Sequence, residues 1–123
     1  MKESSLQAQC VEYLSILAQK YDDLIFFSIP NEGLMFSLMS FGVNQNKIAA
    51  IINHFKKLGL LSGIPDFCIL FRGYCYFIEF KAEGKKPNEK QVRIHDKINK
   101  SGFDVFVCDN FDLFRNIIED IGI

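Results

Sequence analysis

Gly63-Ile64-Pro65-Asp66-Phe67-Cys68-Ile69-Leu70-Phe71-Arg72-Gly73-Tyr74-Cys75-Tyr76-Phe77-Ile78-Glu79-Phe80-Lys81 is the stretch on which the reading of this 123-residue chain turns. It holds two β-rich runs, Phe67–Phe71 and Tyr74–Lys81, hinged at Arg72-Gly73. Nearly every position in them is apolar or aromatic, which predicts strands buried on both faces, central in a sheet covered by helices. Three charged residues break the pattern: Asp66, Glu79 and Lys81. With Arg72-Gly73 as the hairpin tip, Asp66 faces Glu79, with Cβ atoms roughly 5 Å apart. Lys81 then projects to the same face as Glu79. Arg-Gly is not a preferred two-residue turn pair, and a longer loop that shifts the register by one would send the carboxylates to opposite faces.

Two carboxylates so close in a buried sheet repel and lose solvation unless a cation sits between them. Oxygen ligands select a hard divalent ion such as Mg²⁺ or Mn²⁺, completed by waters and phosphate oxygens. Lys81 can then orient or deprotonate a water, or stabilise charge developing on a phosphate. The plainer reading is a structural pair at a strand end, Lys81 with Glu79 or Asp66.

On the N-terminal side, Leu6, Cys10, Tyr13, Leu14, Leu17 and Tyr21 follow the spacing of an amphipathic helix over Ser4–Lys20, with Ser4 or Ser5 as N-cap. Leu24–Ile29 reads as a strand closed by the turn formers Pro30-Asn31-Glu32-Gly33. Leu34–Asn46 fits either a short helix or an irregular flap, and Lys47–Leu58 is helical up to Gly59. Together residues 34–58 read as a helical insert. On the C-terminal side, Pro87 opens a helix to about Lys100 with Gly102 as its cap, Asp104–Cys108 is a strand, and Phe111–Ile121 is a last helix. The whole chain, 1–123, reads as a single domain.

Composition narrows the classes. With 49% apolar residues, including 13 Phe, and 24% charged residues, the chain can build a core and is not a disordered segment. The longest apolar runs fall far short of the ~18 to 20 residues that cross a bilayer, and the N-terminus lacks the apolar region of a secretory signal. A membrane association is therefore not expected, and a cytoplasmic location is. Cys10, Cys68, Cys75 and Cys108 contain no C-x-x-C pair, so neither a disulfide framework nor zinc finds support. The net charge of −1 hides an uneven distribution: residues 80–100 carry seven cations against three acids, and 101–123 carry Arg115 against five acids. A local basic patch is enough to hold phosphates.

The Pro65-Asp66 and Glu79-Phe80-Lys81 halves resemble the PD-(D/E)xK nuclease superfamily. Glu3 at the start of the first helix, the Pro30-Asn31-Glu32-Gly33 turn, the approach from Leu58-Gly59 to Gly63-Ile64-Pro65-Asp66, and Gln91 together resemble the virus-type replication-repair nuclease (VRR-NUC) domain over almost the whole chain. The resemblance implies an α/β restriction-endonuclease-like core: a central mixed four-stranded sheet flanked by helices, with a helical insert after the first strand. It also implies one or two Mg²⁺ or Mn²⁺ ions and cleavage of DNA phosphodiesters. By the same resemblance Asp66, Glu79, the Phe80 carbonyl and Glu3 are metal ligands, Lys81 is the catalytic lysine and Gln91 organises the site. Glu12 is an alternative carboxylate on the first helix, and Asn31 serves equally as a support for the metal site or as a turn former.

Lys85, Lys86, Lys90 and Arg93 follow the candidate active strand and can contact phosphates on either side of the cut bond, and Lys47, Lys56 and Lys57 can extend the path. A solvated charge run is the alternative. His54 and His95 have no ligand-like spacing and read as surface or core histidines. Lone-domain relatives in phages and bacteria resemble junction-resolving enzymes, which implies a homodimer acting on branched DNA, with residues 34–41 as its apolar surface. The rivals are a non-cutting DNA-binding module of the same fold, a flap, site-specific or degradative nuclease, and an unrelated α/β protein.

Overall fold

The computed structural model describes residues 2–123. The hairpin forms as the apolar runs require. Strands β2 (Phe67–Phe71) and β3 (Tyr74–Phe80) pair antiparallel, with Phe67 facing Ile78 and Phe71 facing Tyr74, so a two-residue turn joins them. Arg72 and Gly73 have φ of 50° and 78°, the positive angles that a twist-matched tight hairpin needs. For Arg72 the left-handed backbone is unfavourable, and its side chain is held on the Phe71 ring at 4.6 Å and beside Asp23 at 3.4 Å. The shifted register weighed for a longer loop is therefore not the one adopted.

β1 (Leu24–Ser28) lies antiparallel to β2, and β4 (Asp104–Cys108) lies parallel to β3, giving a mixed sheet of order β1-β2-β3-β4. The parallel pair needs a crossover, supplied by α4 (Glu89–Lys100). One face of the sheet is covered by α1 (Glu3–Leu17) and α5 (Phe111–Ile121). Leu6, Cys10 and Leu14 of α1 and Phe114, Ile117 and Ile118 of α5 pack there on Phe67, Ile69, Ile78, Phe80 and Cys108. Truncating one of these large side chains to alanine costs about 2–5 kcal/mol. The residues between them on β3 face the other side, toward α4. After β1 come α2 (Glu32–Phe36), a 3-10 turn over Ser37–Phe41, and α3 (Gln45–Lys57). The ambiguous segment is thus helical from Glu32 rather than an irregular flap.

Three helix starts differ from the sequence expectation: α3 begins at Gln45 rather than Lys47, because the Asn44 side chain caps it by accepting from the Lys47 N–H at 2.8 Å. The first helix begins at Glu3: the Leu6 N–H reaches the Lys2 carbonyl at 3.0 Å, which puts Lys2 in the cap position, and a lysine side chain has no acceptor with which to cap. Ser4 and Ser5 are therefore inside the first turn. The fourth helix begins at Glu89, not Pro87. Asn88 caps it: its side chain accepts from the Gln91 N–H, and the Gln91 side chain accepts from the Asn88 N–H. This reciprocal box satisfies two backbone donors and outcompetes a proline start.

Candidate active site

Asp66 stands one residue before β2, opposite Glu79 in the hairpin register. Both of its carboxylate oxygens are engaged. Oδ2 accepts from the Phe80 N–H at 2.8 Å, and Oδ1 accepts from Asn31 Nδ2 at 2.7 Å. The main chain on either side is anchored as well, through Ile29 N–H to the Asp66 carbonyl at 2.8 Å. Asn31 is buried and works at both ends of its amide, since its Oδ1 also caps α2 by accepting from the Leu34 N–H at 2.8 Å.

Glu79 is 1% exposed and sits among polar partners on α4. His95 Nε2 lies 3.2 Å from Glu79 Oε1, and Gln91 Nε2 lies 3.5 Å from Glu79 Oε2. Gln91 and His95 are four residues apart and so share one helix face. Burial first, then the contact with Asp66 and its charge, pushes the Glu79 carboxyl up to about 9, opposed by Lys81 and reinforced by Glu3. His95 is shifted the other way, lowered by burial and by Lys81. Without a cation the Glu79–His95 contact is therefore a neutral hydrogen bond at pH 7.

These groups open into a cleft of about 700 Å³ whose wall includes Glu3, Asp66, Glu79, Lys81, Gln91 and the basic pair Lys90 and Arg93. The loop before Asp66 closes onto α4 at Gly63. Its φ is +88°, and a Cβ there would stand 2.6 Å from the Lys90 carbonyl oxygen, so only glycine admits this approach.

The structure brings most of the residues singled out by sequence to one place. Asp66, Glu79, Lys81, Gln91 and Glu3 share the cleft, with Glu3 on the first turn of α1. Phe80 is present through its main chain, while its ring is buried against Phe67 and Phe114. Glu12 is exposed on α1 and is not part of the cleft wall. Among the basic residues, Lys90 and Arg93 line the cleft, whereas Lys47, Lys57, Lys85 and Lys86 are exposed outside its wall. Lys56 stands 3.9 Å from Glu32 at the cleft's edge.

His54 is exposed. His95 is buried, as a core histidine would be, but its contact with Glu79 was not anticipated; the signal available was its four-residue spacing from Gln91. Asn31 bonds the Asp66 carboxylate and caps α2 with one side chain.

The donors suit a hard ion. Asp66 and Glu79 present oxygen atoms to each other in a buried place where one of them is driven to hold a proton, and a divalent cation is the natural replacement for that proton. Among the described residues, no three His, Cys, Asp or Glu side chains form a ready-made cage. Two carboxylates completed by main-chain oxygen, water and substrate are what Mg²⁺ commonly takes.

Comparison with known proteins identifies the family and the fold. The family model described as VRR-NUC domain matches residues 2–112. A protein of Acyrthosiphon pisum secondary endosymbiont phage 1 named "Putative nuclease p44" is 38% identical over 68 residues, which span 54% of this chain and 72% of that protein. A solved VRR_NUC domain superimposes with a TM-score of 0.62 at 26% identity, covering 97% of this chain and 96% of that one.

Proposed function

The chain belongs to the VRR-NUC domain family of nucleases, and from that premise we propose that it is a divalent-metal-dependent DNA endonuclease selective for branched substrates. The observation that supports the reading best is the facing of Asp66 and Glu79 beside Lys81 in a cleft edged by Lys90 and Arg93. Asp66, Glu79, the Phe80 carbonyl and Glu3 would hold Mg²⁺ or Mn²⁺ in preference to zinc, because all four donors are oxygen. When bound, the ion supplies Lewis-acid stabilisation of phosphate charge and lowers the pKa of a water.

The chain's own residues do the rest. Asn31 and the Phe80 N–H fix the plane of the Asp66 carboxylate, and Gln91 and His95 fix that of Glu79. Lys81 orients the attacking water toward phosphorus and takes up charge on the phosphate oxygens. Lys90 and Arg93 position the flanking phosphates, which gives a salt-dependent affinity. Lys85 and Lys86 on the loop, and Lys56 and Lys57 on α3, extend that contact along the strand beyond the cleft.

Branched DNA calls for two active sites related by a twofold axis. Leu34, Phe36, Met39 and Phe41 are each more than 40% exposed, Phe41 reaching 81%, and this apolar surface supports a homodimer formed through the helical insert. No helix among the described residues is long and apolar enough to cross a membrane. The proposed setting is the cytoplasm of a bacterium or phage-infected cell, in DNA replication, recombination or repair.

The test is cleavage of labelled four-way junction, flap and plain duplex DNA with Mg²⁺, Mn²⁺ or EDTA, comparing the natural chain with Asp66→Ala and Lys81→Ala. Metal-dependent cutting of the junction, lost in both variants, is the expected result. Binding without cutting under every metal condition would replace this reading with that of a DNA-holding module, and a preference for flap or duplex would replace the branched-DNA assignment.

A further inference from the structure

Outside the cleft, two sulfur atoms approach each other more closely than chance packing needs. Cys68 Sγ and Cys75 Sγ are 3.0 Å apart, only ~1 Å longer than a disulfide bond. The register explains the approach. Cys75 pairs with Leu70 and Cys68 with Phe77, so the two cysteines are diagonal neighbours on one face of the β2–β3 hairpin. On that face Ile25 lies beside Leu70 and Phe27 beside Cys68, and these two residues of β1 are 56% and 46% exposed. The face is open at its edge. Cys75 is half-buried and accessible there, whereas Cys68 is 3% exposed.

We propose that Cys68 and Cys75 are an oxidant-responsive dithiol that closes to an intramolecular disulfide across the hairpin when the protein meets a peroxide. The peroxide takes two electrons from the Cys75 sulfur, leaving a sulfenic acid and one water. The Cys68 sulfur then attacks the sulfenic sulfur. Its proton departs with the hydroxyl as a second water, and the S–S bond forms. The order follows accessibility, since Cys75 is half-buried at the open edge and Cys68 lies beneath it at 3% exposure.

The bond would close a short loop that contains the Arg72-Gly73 tip. It would fix the register of the same hairpin that sets Asp66 against Glu79, two residues beyond Cys68. The oxidised form is then the more rigid one, with its carboxylate pair still in place.

The experiment treats the full chain with stoichiometric hydrogen peroxide, measures melting temperature on one portion, and alkylates the remaining thiols of another in denaturant, which exposes the buried Cys10 and Cys108, for intact mass and linked peptides. Expected are loss of two hydrogen masses, two of the four thiols still alkylated, a single Cys68–Cys75 linkage, and a Tm raised by about 5 to 10 °C and restored by dithiothreitol. Cys75→Ser, at the accessible position, should abolish all of these, and Cys68→Ala should leave sulfenic acid on Cys75 unresolved. Four titratable thiols after treatment, accumulation of sulfinic acid without linkage, or a bond between two chains would overturn the proposal. None of these readouts depends on DNA cleavage.

Discussion

The Asn31 amide joins Asp66 to the start of α2: Nδ2 donates to Asp66 Oδ1 at 2.7 Å while Oδ1 accepts from the Leu34 N–H at 2.8 Å. Two substitutions separate these roles. Asn31→Ser keeps an oxygen for the cap but cannot reach Asp66, so it should lose about 1–3 kcal/mol with that hydrogen bond while Mn²⁺ affinity falls about 10- to 100-fold. Asn31→Ala loses both, and should cost about 1 kcal/mol more than the serine variant through the missing cap. Calorimetric Mn²⁺ titration beside urea unfolding checks both numbers, and equal metal affinity in the serine variant would remove Asn31 from the site.

Glu79 gives the metal-free protein a pH signature. Its folded pKa is raised to about 9 from the ordinary 4.5, so the protonated form is the one folding favours. That stability is fully present below pH 4.5 and is lost as pH rises toward 9, because the unfolded chain has released a proton that the folded chain still holds. Unfolding free energy should therefore fall with pH across this window, by up to about 1 kcal/mol per unit. Glu79→Gln should flatten the slope in EDTA, and saturating Mn²⁺ should flatten it in the natural chain. A slope that is the same in Glu79→Gln would assign it to other groups.

His95 fixes Glu79 without touching the substrate side of the cleft. His95→Ala leaves a buried carboxyl short of a partner and should cost about 1–3 kcal/mol. Cleavage should drop about 10- to 100-fold through the rate constant with little change in KM for DNA. His95→Gln retains a donor and should recover part of the rate. If Gln and Ala are equally impaired in rate while equally stable, the ring itself and not its hydrogen bond is what matters.

Gly63→Ala sets a methyl group 2.6 Å from the Lys90 carbonyl on a backbone with φ of +88°. The obstacle is main chain and cannot swing aside. The variant should lose about 1–3 kcal/mol and push the first turn of α4 outward, weakening DNA binding through Lys90 and Arg93 as well. Thermal melting and a salt titration of duplex affinity measure the two effects.

The hairpin was legible because two apolar runs with three misplaced charges leave few arrangements: once Arg72-Gly73 turns tightly, Asp66 must face Glu79. β4 and α5 carry residue bounds identical to those read from the pattern, since Phe114, Ile117 and Ile118 repeat at helical spacing against the sheet. The start of α4 was misread because Pro87 and Asn88 are both acceptable openings, and the choice falls to the Asn88–Gln91 box, which needs Gln91 on the helix and at the cleft at once. Asn31 stayed undecided between two roles, and the His95 contact was missed, for another reason. Their partners lie 35 and 16 residues away, and such contacts follow from tertiary packing that no local pattern encodes.

The same separations bear on the order in which the site assembles. A tight turn brings Asp66 and the Phe80 N–H together across 14 residues, so the chain entropy lost in meeting is small and the hairpin can act as an early nucleus. Gln91 and His95 arrive with the crossover helix, over comparable spans. Asn31 has the longest loop to close and brings the insert with it. Mutations at the Arg72-Gly73 tip should therefore slow folding, whereas loss of the Asn31 contact should mainly hasten unfolding. On this account the candidate pocket assembles from its two carboxylates outward, and its support from the insert is expected to be the first part to open.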